Sequence, residues 1–226
     1  MNILITNDDG FFAQGINLLY DLLKKEHDVT IVAPKTVMSA KSVSIILGRE
    51  VEVTKENDHL FVMEGTPADC VAFGLSSLNK KFDLVISGIN HGLNISYDTM
   101  YSGTVGAGLQ ALTFGVPAVA FSCHNNFDIV EKNLSSVLSF IKENNLLSKE
   151  YLLNVNFPLG EEVKEIRLTH IHYRNENEAT YYIKNPTGLF YATRDIDDDK
   201  CLDENSDAYC VYHSIISITK IKKKLD

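Results

Sequence analysis

Asp8 and Asp9 are adjacent carboxylates at the end of an aliphatic run, Ile3-Leu4-Ile5, which continues through Thr6 and Asn7 and is closed by Gly10. Neighbouring carboxylates repel, and desolvation sharpens the repulsion, so such a pair calls for a cation beside it. The same Asn-Asp-Asp-Gly string also suits a polar turn leading into a helix cap. Two further polar loops carry hard oxygen donors. Val37-Met38-Ser39-Ala40-Lys41-Ser42 offers hydroxyls, and Gly88-Ile89-Asn90-His91-Gly92-Leu93-Asn94 offers amides and a histidine. The Ser39 hydroxyl could reach a cation, although serines are common in loops for local reasons. Asparagine presents an oxygen to a metal and an NH2 group to a phosphate. His91 is a candidate proton donor or a solvent-facing loop residue. Tyr101-Ser102-Gly103-Thr104 then opens a stretch of very small residues through Gly108. Free N–H groups at such a helix start, beside the Ser102 and Thr104 hydroxyls, form a seat for phosphate; small residues also suit tight helix–sheet packing.

These loops need a frame that gathers them at one edge. The run from Ile3 reads as a short buried strand, followed by a helix with Ile16, Leu19, Leu22 and Leu23 on one face, and then by a second buried strand, Val29 to Ala33, stopped by Pro34. That is a βαβ opening, which implies a parallel sheet with a right-handed crossover. Val51-Glu52-Val53 and Leu60-Phe61-Val62 read as a hairpin. Thr66-Pro67-Ala68-Asp69 reads as a helix start, with Thr66 as N-cap. Asp83 to Ser87, Ala118 to Ser122 and Tyr151 to Phe157 are three more strands, and Phe127 to Ile141 is a long amphipathic helix. Beyond Pro158, short strands at Ile166 to His170 and Tyr181 to Ile183, with a turn at Asn185-Pro186-Thr187-Gly188, predict an antiparallel extension. Asp195 to Asp199 reads as a solvated acidic loop with too few ordered ligand positions for a calcium hand. A short helix from Ser206 to Tyr212 and a strand from Ile215 to Ile221 close the chain. The expected fold is α/β: a Rossmann-like three-layer domain with a mainly parallel sheet and a C-terminal antiparallel β-hairpin extension. The whole of 1–226 is expected to form a single domain, with a core of about 1–160 and an extension of about 161–226. In such sheets ligands bind beyond the carboxyl ends of the strands, where all the polar loops would lie.

Composition narrows the function. A net charge of −9 argues against binding nucleic-acid polymers, yet allows a small anionic substrate wherever a metal or local donors reverse the field. The basic run from Lys220 to Lys224 reads as a solvated end. Apolar runs stay well short of the roughly 20 residues of a membrane span, and the N-terminus enters a strand directly, so neither a membrane nor secretion is expected. Cys70, Cys123, Cys201 and Cys210 are scattered, as reduced thiols of a cytoplasmic protein would be. There is no Gly-x-Gly-x-x-Gly after the first strand and no Gly-Lys-Ser/Thr loop, so NAD and Walker-type chemistry are not expected.

The ordered set Asn7-Asp8-Asp9-Gly10, Ala33-Pro34, the Ser39 loop, Gly65-Thr66-Pro67, Ser87-Gly88-Ile89-Asn90 and Tyr101-Ser102-Gly103-Thr104 resembles the SurE family of survival proteins, which are metal-dependent nucleoside-monophosphate phosphatases. The likeness runs from Met1 to about Ser122 and returns more weakly at Asn154-Val155-Asn156-Phe157-Pro158 and Ser206-Asp207. It implies that Asp8, Asp9, Ser39 and Asn90 hold one divalent cation, Mg2+ or Mn2+, with Asp8 and Asp9 catalytic. It implies that Asn94, Ser102, Gly103 and Thr104 lie around the phosphate. Hydrolysis of 5'-monophosphates, with 3'-monophosphates and short polyphosphate as further substrates, and a homodimer or homotetramer built through the C-terminal extension, are implied in the same way. Ala40, Gln14 and Ser96 depart from the family's usual residues, which bears on loop shape and substrate preference more than on metal ligands. The rival reading is a non-catalytic nucleotide-binding regulatory module.

Overall fold

A computed structural model describes residues 1–173, 181–193 and 201–223. In chain order the elements are β1 (Asn2–Thr6), α1 (Gln14–Leu23), β2 (Asp28–Pro34), β3 (Val53–Lys55), β4 (Leu60–Met63), α2 (Pro67–Ser77), β5 (Leu84–His91), a 3-10 turn (Ser96–Met100), α3 (Gly103–Thr113), β6 (Ala118–Cys123), α4 (Phe127–Glu143), β7 (Tyr151–Asn156), β8 (Glu165–Thr169), β9 (Tyr181–Lys184), β10 (Phe190–Thr193), α5 (Asp207–Tyr212) and β11 (Ile215–Lys222). Among the described residues one large sheet runs β3-β4-β2-β1-β5-β6-β7-β11-β8. β1 pairs in parallel with both β2 and β5, and the parallel run continues through β6 and β7. β3 is antiparallel to β4, and β11 to β7.

Alternation along the strands builds two cores. Ile3, Ile5, Ile31, Ile86 and Phe121 face one way and meet Ile16 and Leu19 of α1 with Ile129, Leu134 and Ile141 of α4. Leu4, Val32, Val85 and Ala120 face the other way and meet Val71 of α2 with Val105 and Leu112 of α3. Strand period two and helix period 3.6 thus give the three layers expected from the sequence. The helix start at Thr66 also forms as expected: its side chain accepts from Asp69 N at 3.1 Å while Asp69 Oδ2 accepts from Thr66 N at 2.9 Å, a capping box.

The expected C-terminal antiparallel hairpin forms from β9 and β10, Ile183 opposite Tyr191. β8 lies apart from it in the main sheet, parallel to β11, with Ile166 opposite Ile216. A short apolar run announces a strand but not its partner, and this partner lies 50 residues further along. The expected acidic loop at Asp195 to Asp199 lies outside the described residues, as does Lys224.

The order β4-β2-β1-β5-β6 has a consequence for function. The chain builds outward from β1 on one side, then returns to place β5 on the other. The crevice beyond the carboxyl ends of β1 and β5 is therefore a topological switch point, where α/β sheets bind ligands. α1 sits close over this edge: a Cβ on Gly15 would run into the Ile89 carbonyl, so only glycine admits that approach.

Candidate active site

Asp8 and Asp9 emerge from β1 directly into the switch point. Asp8 is 4% exposed and Asp9 half-buried. Thr104 Oγ1 donates to Asp8 Oδ1 at 2.6 Å, and the first turn of α3 closes on the same carboxylate. A Cβ on Gly103 would lie 3.0 Å from both Cβ and Oδ2 of Asp8, so glycine is what lets α3 seat against it. Burial raises the Asp8 carboxyl to about 6; the Thr104 hydroxyl opposes this, and the charge of Asp9 adds to it. The backbone N–H of His91 donates to Asp9 Oδ2 at 3.0 Å, so the end of β5 fixes the second carboxylate. Among the described residues no lysine, arginine or histidine side chain forms an ion pair with either aspartate.

The Ser39 loop is tied to the same place. Met38 N donates to the Asp8 carbonyl at 2.7 Å, and Ser42 N donates to the Tyr101 carbonyl at 2.9 Å, just before α3. Ser39 itself is exposed beside the first of these anchors. Asn90 does not stand in a free loop: β5 continues through a register shift to pair Asn90 with Ser122 and His91 with Cys123. Its Nδ2 donates to the Gly92 carbonyl at 2.7 Å, which turns Oδ1 away from that contact. Behind these groups Asn7 Oδ1 and Ser87 Oγ are buried without a protein partner among the described residues.

These donors fit a hard divalent cation. Two carboxylates, an amide oxygen and a hydroxyl are all hard oxygen donors of the kind such a cation takes. Among the described residues no group of three or more His, Cys, Asp or Glu side chains gathers to hold a metal, so such a cation would depend on the neutral oxygens as well. A buried carboxylate with no protein cation, and unpartnered buried oxygens behind it, fit a site completed by an ion.

The expected phosphate residues divide into two groups. Ser102 caps α3, accepting from Val105 N at 3.1 Å, and with Gly103 and Thr104 it stands against Asp8. Asn94 is buried in a hub. Its backbone N–H donates to Asn156 Oδ1 at 2.8 Å, and its Nδ2 donates to Ser122 Oγ at 2.8 Å. Its carbonyl accepts from Asn154 Nδ2 at 2.7 Å and from Asn156 Nδ2 at 3.1 Å. The role of Asn154 and Asn156 escaped the sequence reading. The available signal was two asparagines at period two in an otherwise apolar strand, both facing inward. Asp207 is a further tie: Oδ2 accepts from Ser96 N at 3.0 Å and Oδ1 from His172 N at 2.8 Å, joining the start of α5 to the loop after β5.

A pocket of about 460 Å3 opens on the other side of Asp9, between the starts of α1 and α4. The rings of His91 and Phe127 lie near-parallel there, 6.2 Å apart at 15°. A larger pocket of about 690 Å3 lies at the opposite, amino ends of the strands, lined by Met1, Leu23, His27 and Leu84, away from the carboxylates.

Residues 3–178 match the family described as Survival protein SurE. The chain belongs to the SurE family. It is 36% identical to a protein named 5'-nucleotidase SurE from Clostridium botulinum (strain Alaska E43 / Type E3), over 98% of this chain and 93% of that one. It is 39% identical to a protein of the same name from Albidiferax ferrireducens, over 83% of this chain and 78% of that one. A crystal structure of the SurE protein from Aquifex aeolicus superposes with a TM-score of 0.85 at 31% identity, covering 100% of this chain and 95% of its own.

Proposed function

We propose that this chain is a divalent-cation-dependent phosphomonoesterase acting on nucleoside monophosphates. The observation that supports it most is the convergence on Asp8 of the Thr104 hydroxyl, the Gly103 turn and the Met38 loop at the switch point, in a chain whose relatives are named 5'-nucleotidase SurE. Asp8, Asp9, Ser39 and Asn90 would hold one Mg2+ or Mn2+, which when bound supplies positive charge to the phosphate and acidity to a water. The Gly103 N–H and the positive end of α3 orient the phosphate oxygens, while Thr104 gives both its backbone N–H and its hydroxyl to Asp8. Thr104 fixes the angle of the Asp8 carboxylate, and His91 N–H fixes Asp9. The two carboxylates are adjacent rather than spaced by one residue as in phosphoaspartate-forming Asp-x-Asp sites, which favours water over either aspartate as the attacking group in an in-line displacement.

Phosphate release from 5'-AMP tests the reading. The protein treated with EDTA is inactive, and Mg2+ or Mn2+ restores turnover; release that persists in EDTA would overturn metal dependence. A panel including 3'-AMP and tripolyphosphate sets the substrate range. We also infer a homodimer or homotetramer joined through the C-terminal region, where Tyr182, Leu189 and Phe190 are 70%, 68% and 65% exposed. Light scattering tests it: a monomeric mass would overturn it. Four free, buried cysteines fit a reducing compartment, and we place the protein in the cytoplasm.

A further inference from the structure

The pocket beside Asp9 has a chemistry of its own. Asp9, Gln14, His91, Asn125, Phe127 and Asp128 line it, and its volume of about 460 Å3 is that of a small-molecule site. His91 and Phe127 present stacked ring faces. Gln14 and Asn125 each offer an amide donor and acceptor, and Asp128 offers acceptors only. No lysine or arginine lines the pocket, while two carboxylates do. An extra phosphate would be repelled there; an uncharged heteroaromatic group with a flat face and alternating edge donors and acceptors would not. Asp9 belongs both to this pocket and to the carboxylate pair, so whatever fills the pocket adjoins the phosphate site.

We propose that this pocket receives the nucleoside end of the substrate, with the base stacked on the His91–Phe127 face and its edge read by Gln14 and Asn125. The phosphate's position beyond Asp9 rests on the phosphomonoesterase reading; the pocket itself does not. The two carboxylates then select monophosphates, whose charge is all at the phosphate site, over substrates with a charged group at the base end.

Adenosine, which has no phosphate, separates the two readings. Calorimetric titration of the wild-type protein, of Phe127→Leu and of Gln14→Trp measures pocket binding without turnover. Gln14 is exposed at the first helical position of α1, so a bulky replacement fills the pocket without entering the core. Loss of the base–aromatic contact in Phe127→Leu corresponds to about tenfold weaker adenosine binding, and filling the pocket in Gln14→Trp weakens it at least as much. The ratio of kcat/KM for 5'-AMP to that for ribose 5-phosphate, which lacks the base, falls by a similar factor, chiefly through KM. Adenosine binding that is absent in the wild type, or unchanged in Gln14→Trp, overturns the pocket assignment even where phosphate release is normal. Adenosine binding lost in both variants, with no release from any phosphate ester in Mg2+ or Mn2+, upholds the pocket and overturns the phosphomonoesterase reading instead.

Discussion

Thr104 Oγ1 donates to Asp8 Oδ1 at 2.6 Å across a sequence separation of 96 residues, and both side chains are buried. This bond joins the acid pair at the end of β1 to the helix start read as the phosphate seat. Thr104→Val keeps the shape and removes the donor, leaving a buried carboxylate with one partner fewer. The loss should be about 1–3 kcal/mol of stability in urea unfolding, with Thr104→Ser recovering most of it. Equal stability of the valine variant would show that the bond does not hold the site.

Asp8 makes the metal-free protein sensitive to pH. Its carboxyl lies at about 6 when folded, against 3.8 for the ordinary group. The folded state therefore holds this proton over a range where the unfolded chain has lost it, and the stabilisation is full below the unfolded value and lost as pH rises through about 6. The difference amounts to about 3 kcal/mol. Denaturation of wild type and Asp8→Asn in EDTA, at about pH 5 and about pH 8, should show the variant gaining relative to wild type at the higher pH. Added Mn2+ should reverse that gain, because a cation favours the charged carboxylate. A stability gap independent of pH would contradict the burial argument.

Gly103 tests the fit of α3 against the acid pair. A methyl group there would press on Asp8 Cβ and Oδ2 at 3.0 Å and on the Met38 carbonyl at 3.2 Å. Alanine is otherwise welcome in a helix, so the cost of Gly103→Ala falls on the site. Turnover should drop by about tenfold or more, since small displacements of positioned groups are expensive. Circular dichroism should show the fold intact. Wild-type kcat in this variant would mean that the contact is slack.

Asn94, expected near the phosphate, forms hydrogen bonds with Ser122, Asn154 and Asn156. Asn156→Ala leaves the buried Asn94 N–H without its acceptor, at about 1–3 kcal/mol. Thermal unfolding reads this directly. A variant of unaltered stability would show that the asparagine hub is not what holds the loop after β5.

Local patterns were legible where one segment decides the outcome. Ile3 to Ile5, the Thr66–Asp69 cap and the small residues from Ser102 each carry their structure in neighbouring positions. The acid pair was legible for the same reason, and the ordered loops exposed the family. Long-range partners were not legible. β5 looks like a strand that stops at Ser87, because Gly88, Asn90 and Gly92 are loop residues by composition; the edge of β6 supplies the pairing that carries it on to His91. β8 joins β11 for reasons written 50 residues away. The pocket beside Asp9 needs the starts of α1 and α4 and the end of β5 together, so no single stretch announces it. Gln14 departs from the family's usual residue in the sequence, and only the fold brings it to the lining of that pocket.

The most direct test of the central claim is phosphate release from 5'-AMP by wild type and Asp9→Asn at saturating Mn2+, with Mn2+ binding followed by electron paramagnetic resonance on the same samples. The wild type should release phosphate in a Mn2+-dependent manner, and a folded Asp9→Asn should lose both turnover and tight Mn2+ binding. Wild-type turnover in the variant, or release indifferent to Mn2+ and EDTA, would contradict that claim.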